Sequence, residues 1–169
     1  MAKYKINKNE NLSIVSEPTV AYGGYDTPRF SKSILYGNSI KVPEYQMVSF
    51  DKMKILKAGL TKVNLEKLKQ RASLDYDKLS KALSVTRATL INNKGTEKYS
   101  NTVSERILAL SDLYSYGYKV FEDEVKFNDW MFKPNKALCN KIPYDIVDNQ
   151  FGREEIKNLI GRIEYGVYS

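Results

Sequence analysis

The chain has 169 residues, 27 Lys and Arg against 20 Asp and Glu for a formal charge of +7, one cysteine and no histidine. That length suits one compact domain or two small ones and buries enough surface to fold without disulfides or metal. The absence of histidine excludes Ser-His-Asp, Cys-His and His-metal schemes, and the single Cys139 cannot form an internal disulfide, which fits a reducing compartment.

No uncharged apolar run approaches the ~18 residues of a membrane span, and Met1-Ala2-Lys3-Tyr4-Lys5 does not lead into a signal peptide. The expectation is a cytoplasmic protein with no membrane contact. Charge is unevenly spread: residues 1–103 hold 18 basic and 9 acidic side chains, residues 104–169 hold 9 and 11. A basic front points to a polyanionic partner and the near-neutral back to a different one.

Residues 1–48 form an irregular N-terminal arm. Pro18, Pro28, Pro43, Gly23-Gly24 and Gly37 interrupt it, leaving room only for short extended pieces near Leu12–Val15 and Ser33–Ile40. Helical periodicity begins at about residue 49. Phe50, Met53, Ile55, Leu56 and Leu60 predict a short helix stopping at Gly59. Asn64 is the expected cap of a helix carrying Leu65, Leu68 and Ala72; Asp75 caps one with Tyr76, Leu79, Ala82 and Leu83; Thr86 caps one from Arg87 to about Lys94, closed by Gly95.

The segment 75–94 thus places two short helices across a tight turn, with Leu79, Leu83, Val85 and Leu90 pointing to one core. That is the pattern of a helix-turn-helix, whose second helix shows its outer face to the major groove. The outward residues, Thr86, Arg87, Thr89, Asn92, Asn93 and Lys94, are the types that pair with bases and phosphates. Any two tightly joined helices with a solvated face give a similar pattern. Local charge favours DNA, with nine Lys and Arg against four Asp and Glu over residues 60–98. Ser80 and Ser84 stand where small Ala and Gly residues are usual in such motifs, and Ser84 lacks glycine's freedom in the turn.

The second block, 102–169, opens on a Thr102-x-x-Glu105 capping box, followed by a stripe of Val103, Ile107, Leu110, Tyr114 and Tyr118. Asp123 caps a helix with Val125, Phe127, Trp130 and Met131, and Lys133-Pro134-Asn135 ends it. Pro143 starts a short helix through Val147. A last helix near Arg153 to Glu164 buries Ile156, Leu159, Ile160 and Ile163 and stops at Gly166. The fold class is all-α, with the arm 1–48, a helix-turn-helix module 49–101 and a small helical domain 102–169. Glu122-Asp123-Glu124 reads as a helix cap and Cys139 as a small buried filler with no base to activate it. No paired carboxylates stand out, so neither catalytic residues nor metal ligands nor a cofactor are assigned.

The elements Ser104-Glu-Arg-Ile-Leu-Ala-Leu, Val120-Phe121, Trp130-Met131, Pro134-Asn135-Lys-Ala-Leu138, Ile142-Pro143, Gly152 and Arg162-Ile-Glu-Tyr-Gly-Val-Tyr168 follow one another as in the Xre/MbcA/ParS-type antitoxins, which the chain resembles over about 62–169. Cys139-Asn140 departs from the Gly pair usual there. The resemblance implies an antitoxin of a type II toxin–antitoxin system whose C-terminal domain covers the active site of a RES-domain, NAD-consuming toxin. The implied toxin-binding positions are Arg162, Glu164, Gly166, Val167 and Tyr168, with Arg153 and Asn135 beside them. The helix-turn-helix, in a homodimer joined along the helix at 103–118, is then expected to bind operator DNA and repress the operon. A stand-alone dimeric helix-turn-helix transcriptional regulator with no toxin partner is the alternative reading of the same residues.

Overall fold

The computed structural model describes residues 32–167, and every regular element among them is helical. The expected extended piece at Leu12–Val15 lies outside the described residues. Residues 33–40 form a tight turn, closed by a bridge between Ser33 and Gly37, rather than an extended strand. This segment is irregular yet firmly seated: Ile34, Leu35, Ile40 and Met47 are buried in the core. Glu44 holds it together, accepting from the Ser33 hydroxyl at 2.5 Å and from the Ile34 and Leu35 N–H groups at 2.9 Å each. A buried carboxylate is costly unless its oxygens are bonded, and here three donors supply the bonds. Desolvation still holds the Glu44 carboxyl above its ordinary range.

Helix α1 (Ser49–Ala58) ends where Gly59 takes φ +76°, as its position predicts. Ile55 and Leu60 face the core, whereas Phe50 and Met53 are exposed. Helix α2 (Lys62–Arg71) is capped by Thr61, not Asn64; Asn64 sits three residues in and its side chain accepts from the Thr61 N–H, completing a capping box. Helices α3 (Tyr76–Ala82) and α4 (Arg87–Ile91) start at the expected caps, Asp75 and Thr86, which accept from the N–H groups of Lys78 and Thr89. Helix α4 is shorter than its sequence pattern, since Asn92 already closes its last turn. The two pack on each other around buried Leu79, Leu83 and Leu90, an arrangement consistent with a helix-turn-helix. Ser84 adopts the left-handed conformation at φ +47°, and the N–H groups of Ser84 and Val85 bond back to Lys81 and Ser80. These two bonds close the helix end that glycine more commonly closes.

Helix α5 (Asn101–Phe121) is the axis of the fold. It starts at a Ser100 cap, ahead of the expected Thr102–Glu105 box, and runs 21 residues. It packs against α1, α6 (Glu124–Met131), α7 (Gln150–Glu164) and the 3-10 turn Glu44–Gln46. Because Ile107, Leu110, Leu113, Tyr114 and Tyr118 are all buried within one chain, this helix is not a free dimer seam. Each such side chain contributes roughly 1.5–3 kcal/mol on burial. Around its C-terminal half the rings of Tyr114, Tyr118, Phe121, Phe127 and Trp130 pack with neighbouring centroids 5.2–5.9 Å apart. Buried Asp112 on α5 is gripped by Lys52 of α1 and Lys157 of α7, tying three helices at one carboxylate. Pro143–Ile146 forms the short 3-10 turn that Pro143 predicts. No described helix is long and apolar enough to cross a membrane.

Candidate functional site

The C-terminal helices build a cleft from local signals. Asp123 accepts from the N–H groups of Val125 and Lys126 at 2.8 and 3.1 Å, which starts α6 and carries Trp130 round to its last turn. The chain then folds back through Asn135, whose side chain accepts from the Ala137 N–H at 2.9 Å and whose N–H donates to the Lys141 carbonyl at 3.0 Å. Cys139 and Asn140 close this loop in the left-handed conformation, φ +54° and +61°, without a glycine. That geometry turns the Cys139 thiol out to solvent, correcting the expectation of a buried filler.

Helix α7 begins at Asn149, which caps Gly152, and supplies the other wall. Its end is closed by Gly166 at φ +67°, with the Val167 N–H bonded to the Arg162 carbonyl at 2.9 Å. Trp130, Asn135, Lys136, Leu159, Arg162 and Val167 thereby line a cleft of about 250 Å³. Its walls are largely apolar, and Arg162 lies along it with a single ion-pair partner among the described residues, Glu155, at 3.3 Å.

Of the expected partner-binding residues, Asn135, Arg162 and Val167 are brought together in this cleft. Glu164 points elsewhere, to the Tyr116 hydroxyl at 2.6 Å and to Lys119. Those bonds, that from Lys119 first, hold its carboxyl below the usual range. Arg153 lines a second cleft, between α5 and α7, and donates to the Val147 carbonyl at 2.7 Å. Gly166 is exposed and closes α7, and Tyr168 lies outside the described residues.

On the basic side, Thr86, Arg87, Thr89, Asn92 and Lys94 are exposed on or just after α4. Thr86 and Thr89 share a 2.8 Å hydroxyl contact, and Arg87 leans on the Asp77 carboxylate at 3.1 and 3.2 Å. Asn93 is half-buried, with a side-chain oxygen that is buried and bonded to nothing among the described residues. Lys62 of α2 reaches the Ile91 carbonyl at 2.5 Å and steadies the end of α4.

The stretch 117–166, which contains the whole of the Trp130 cleft apart from Val167, matches the antitoxin Xre/MbcA/ParS C-terminal toxin-binding domain. Over that stretch the chain is similar to the Xre/MbcA/ParS antitoxins. It is 32% identical over 76 residues to an "Antitoxin Xre" of Photorhabdus laumondii, covering 44% of this chain and 51% of that protein. It is 25% identical over 116 residues to an "Antitoxin Xre" of Yersinia enterocolitica, covering 68% of this chain and 78% of that one. This chain therefore spans about half the length of the first relative.

Within the cleft, the sequence pattern missed Trp130, Lys136 and Leu159. Trp130 shares a turn of α6 with Phe127 and Met131, which are buried, so helical spacing assigns all three to the core. The ring of Trp130 does stack on Phe127 at 5.7 Å, and its remaining surface forms the cleft wall.

Proposed function

We propose that this protein is the antitoxin of a type II pair and that its C-terminal helices cover the active-site cleft of a RES-domain toxin that consumes NAD. The observation that carries the reading is the cleft in which Arg162, Asn135 and Val167 gather beside Trp130, inside the region that matches a toxin-binding domain. Trp and Arg at the centre of a concave patch are the side chains that most often anchor interfaces. Inhibition is steric: the antitoxin performs no chemistry and keeps substrate from the toxin's catalytic groups.

The same chain, as a homodimer, is proposed to bind operator DNA through α3 and α4 and to repress its own operon. Thr86, Arg87, Thr89, Asn92, Asn93 and Lys94 would face the groove, with half-sites about one helical turn, roughly 34 Å, or a multiple of it apart. Exposed α4 residues and the surrounding lysines support this; with α5 buried inside each protomer, the dimer contact lies on another surface.

The test is co-expression with a RES-domain toxin. The wild type is expected to restore growth and to co-purify with the toxin. A Trp130→Ala/Arg162→Glu double variant that melts as the parent is expected to lose both. Full rescue by that variant, or no complex with the wild type, overturns the toxin reading. For the operator, binding to the promoter is expected to weaken steeply with salt and to fall in Arg87→Ala; a flat salt profile overturns it.

A further inference from the structure

A second cleft lies between the first half of α5 and the start of α7, has a volume of about 450 Å³, and is lined by none of the residues of the Trp130 cleft. Two half-buried arginines converge on it. Arg106 donates from Nη1 to the Leu83 and Ser84 carbonyls, both at 2.9 Å, and Arg153 donates from Nη1 to the Val147 carbonyl. Each guanidinium is thus fixed by backbone acceptors, and neither forms an ion pair among the described residues. Nε and Nη2 of both remain without an acceptor among the described residues.

We infer that this cleft is a binding site for the phosphate group of a small organic phosphate. Two guanidinium edges held in place offer more donors than a single carboxylate, with two oxygens, can use, whereas a phosphate's three terminal oxygens match them. The volume exceeds what an inorganic ion fills, leaving space for the organic part. The neighbouring charges are partly spent: Lys157 is engaged by Asp112, and Glu154 accepts from Gln150 at 2.7 Å. Burial, then Arg106, hold the Arg153 guanidinium below its ordinary range, and Asp148, Glu105 and Glu154 offset this only in part. An anion between the two arginines relieves that repulsion. Because Arg106 also holds the carbonyls of the α3–α4 turn, occupancy is felt at Ser84, in the helix-turn-helix. This site is independent of the toxin and operator readings above.

The experiment is a titration of the full chain, followed by amide NMR, with inorganic phosphate and separately with ribose 5-phosphate, at ionic strength held constant with chloride. Saturating shifts at Ser84, Arg106, Gln150 and Arg153 are expected, with ribose 5-phosphate binding the more tightly. Arg153→Ala is expected to weaken binding about tenfold or more, and Glu105→Gln to tighten it by about two- to fivefold. Failure of both probes to saturate at tens of millimolar overturns the inference, as does an inorganic phosphate that binds as well as the sugar phosphate. Unchanged affinity in Glu105→Gln overturns it too, whatever the folding of the Arg153 variant.

Discussion

Gly117 faces the ring of Phe127 so closely that a Cβ on Gly117 would lie 2.2 Å from ring carbons Cε2 and Cζ. The ring cannot yield easily, because Tyr114, Tyr118, Phe121 and Trp130 surround it. Only a residue without a side chain lets α6 approach α5 here, and that approach carries Trp130 to the cleft. Gly117→Ala is therefore expected to destabilise the fold by about 1–3 kcal/mol, the usual cost of overpacking, seen as a lower denaturation midpoint. Gly152→Ala is expected to cost more, since its Cβ would meet the Ile146 carbonyl oxygen at 1.6 Å, and backbone gives less than a ring. A Gly117→Ala chain as stable as its parent would contradict this packing.

Cys139 is exposed and left-handed, φ +54°. Its thiol is expected to react with a water-soluble disulfide reagent in the native protein as fast as in the unfolded one. Cys139→Gly, which removes a Cβ from a conformation that disfavours it, is expected to leave stability equal or raised by about 0.5 kcal/mol, while Cys139→Val lowers it by about 1 kcal/mol. A thiol protected until unfolding would refute the loop geometry.

Glu164 is held by Lys119 and Tyr116 with its carboxyl below the ordinary value of 4.5. A lowered folded pKa means that stability from this contact is present above the unfolded value and is lost as pH falls through the folded one. The melting-temperature gap between wild type and Glu164→Gln is therefore expected to be constant from neutral pH to about 5 and to close on further acidification. A gap that widens in acid would reverse the assignment.

Asp77 holds Arg87 in an exposed ion pair at 3.1 Å, with both side chains more than half exposed. DNA must displace that carboxylate before Arg87 can reach a base or phosphate. If the operator reading holds, Asp77→Asn is expected to bind promoter DNA about two- to fivefold more tightly, in keeping with the small worth of a surface pair. Affinity equal to or below the parent's in a fluorescence anisotropy titration would show that Arg87 does not make this exchange.

Local chemistry was legible wherever one residue settles a local geometry. Asp75, Thr86 and Asp123 start helices because each side chain reaches N–H groups two or three residues on; Gly59, Pro143 and Gly166 act through their own backbone freedom or lack of it. The motifs that carry the antitoxin resemblance were legible for a related reason: their turns and caps sit at fixed offsets. Competing local signals gave the errors of three residues at α2 and two at α5, where Thr61 and Ser100 outcompete Asn64 and Thr102 as caps.

Spacing and cap chemistry in the chain thus carried the all-α class, most of the cap positions and a helix pair consistent with a helix-turn-helix. Tertiary structure alone decided which side of each helix is used. The stripe on α5 reads equally as core or dimer seam until α1, α6 and α7 are seen to cover it, because an apolar face carries no record of what buries it. Arg153 and Arg162, nine positions apart on α7, line different clefts, and Glu164 turns from both toward Lys119. Those assignments depend on contacts between residues tens of positions apart, which no local pattern encodes.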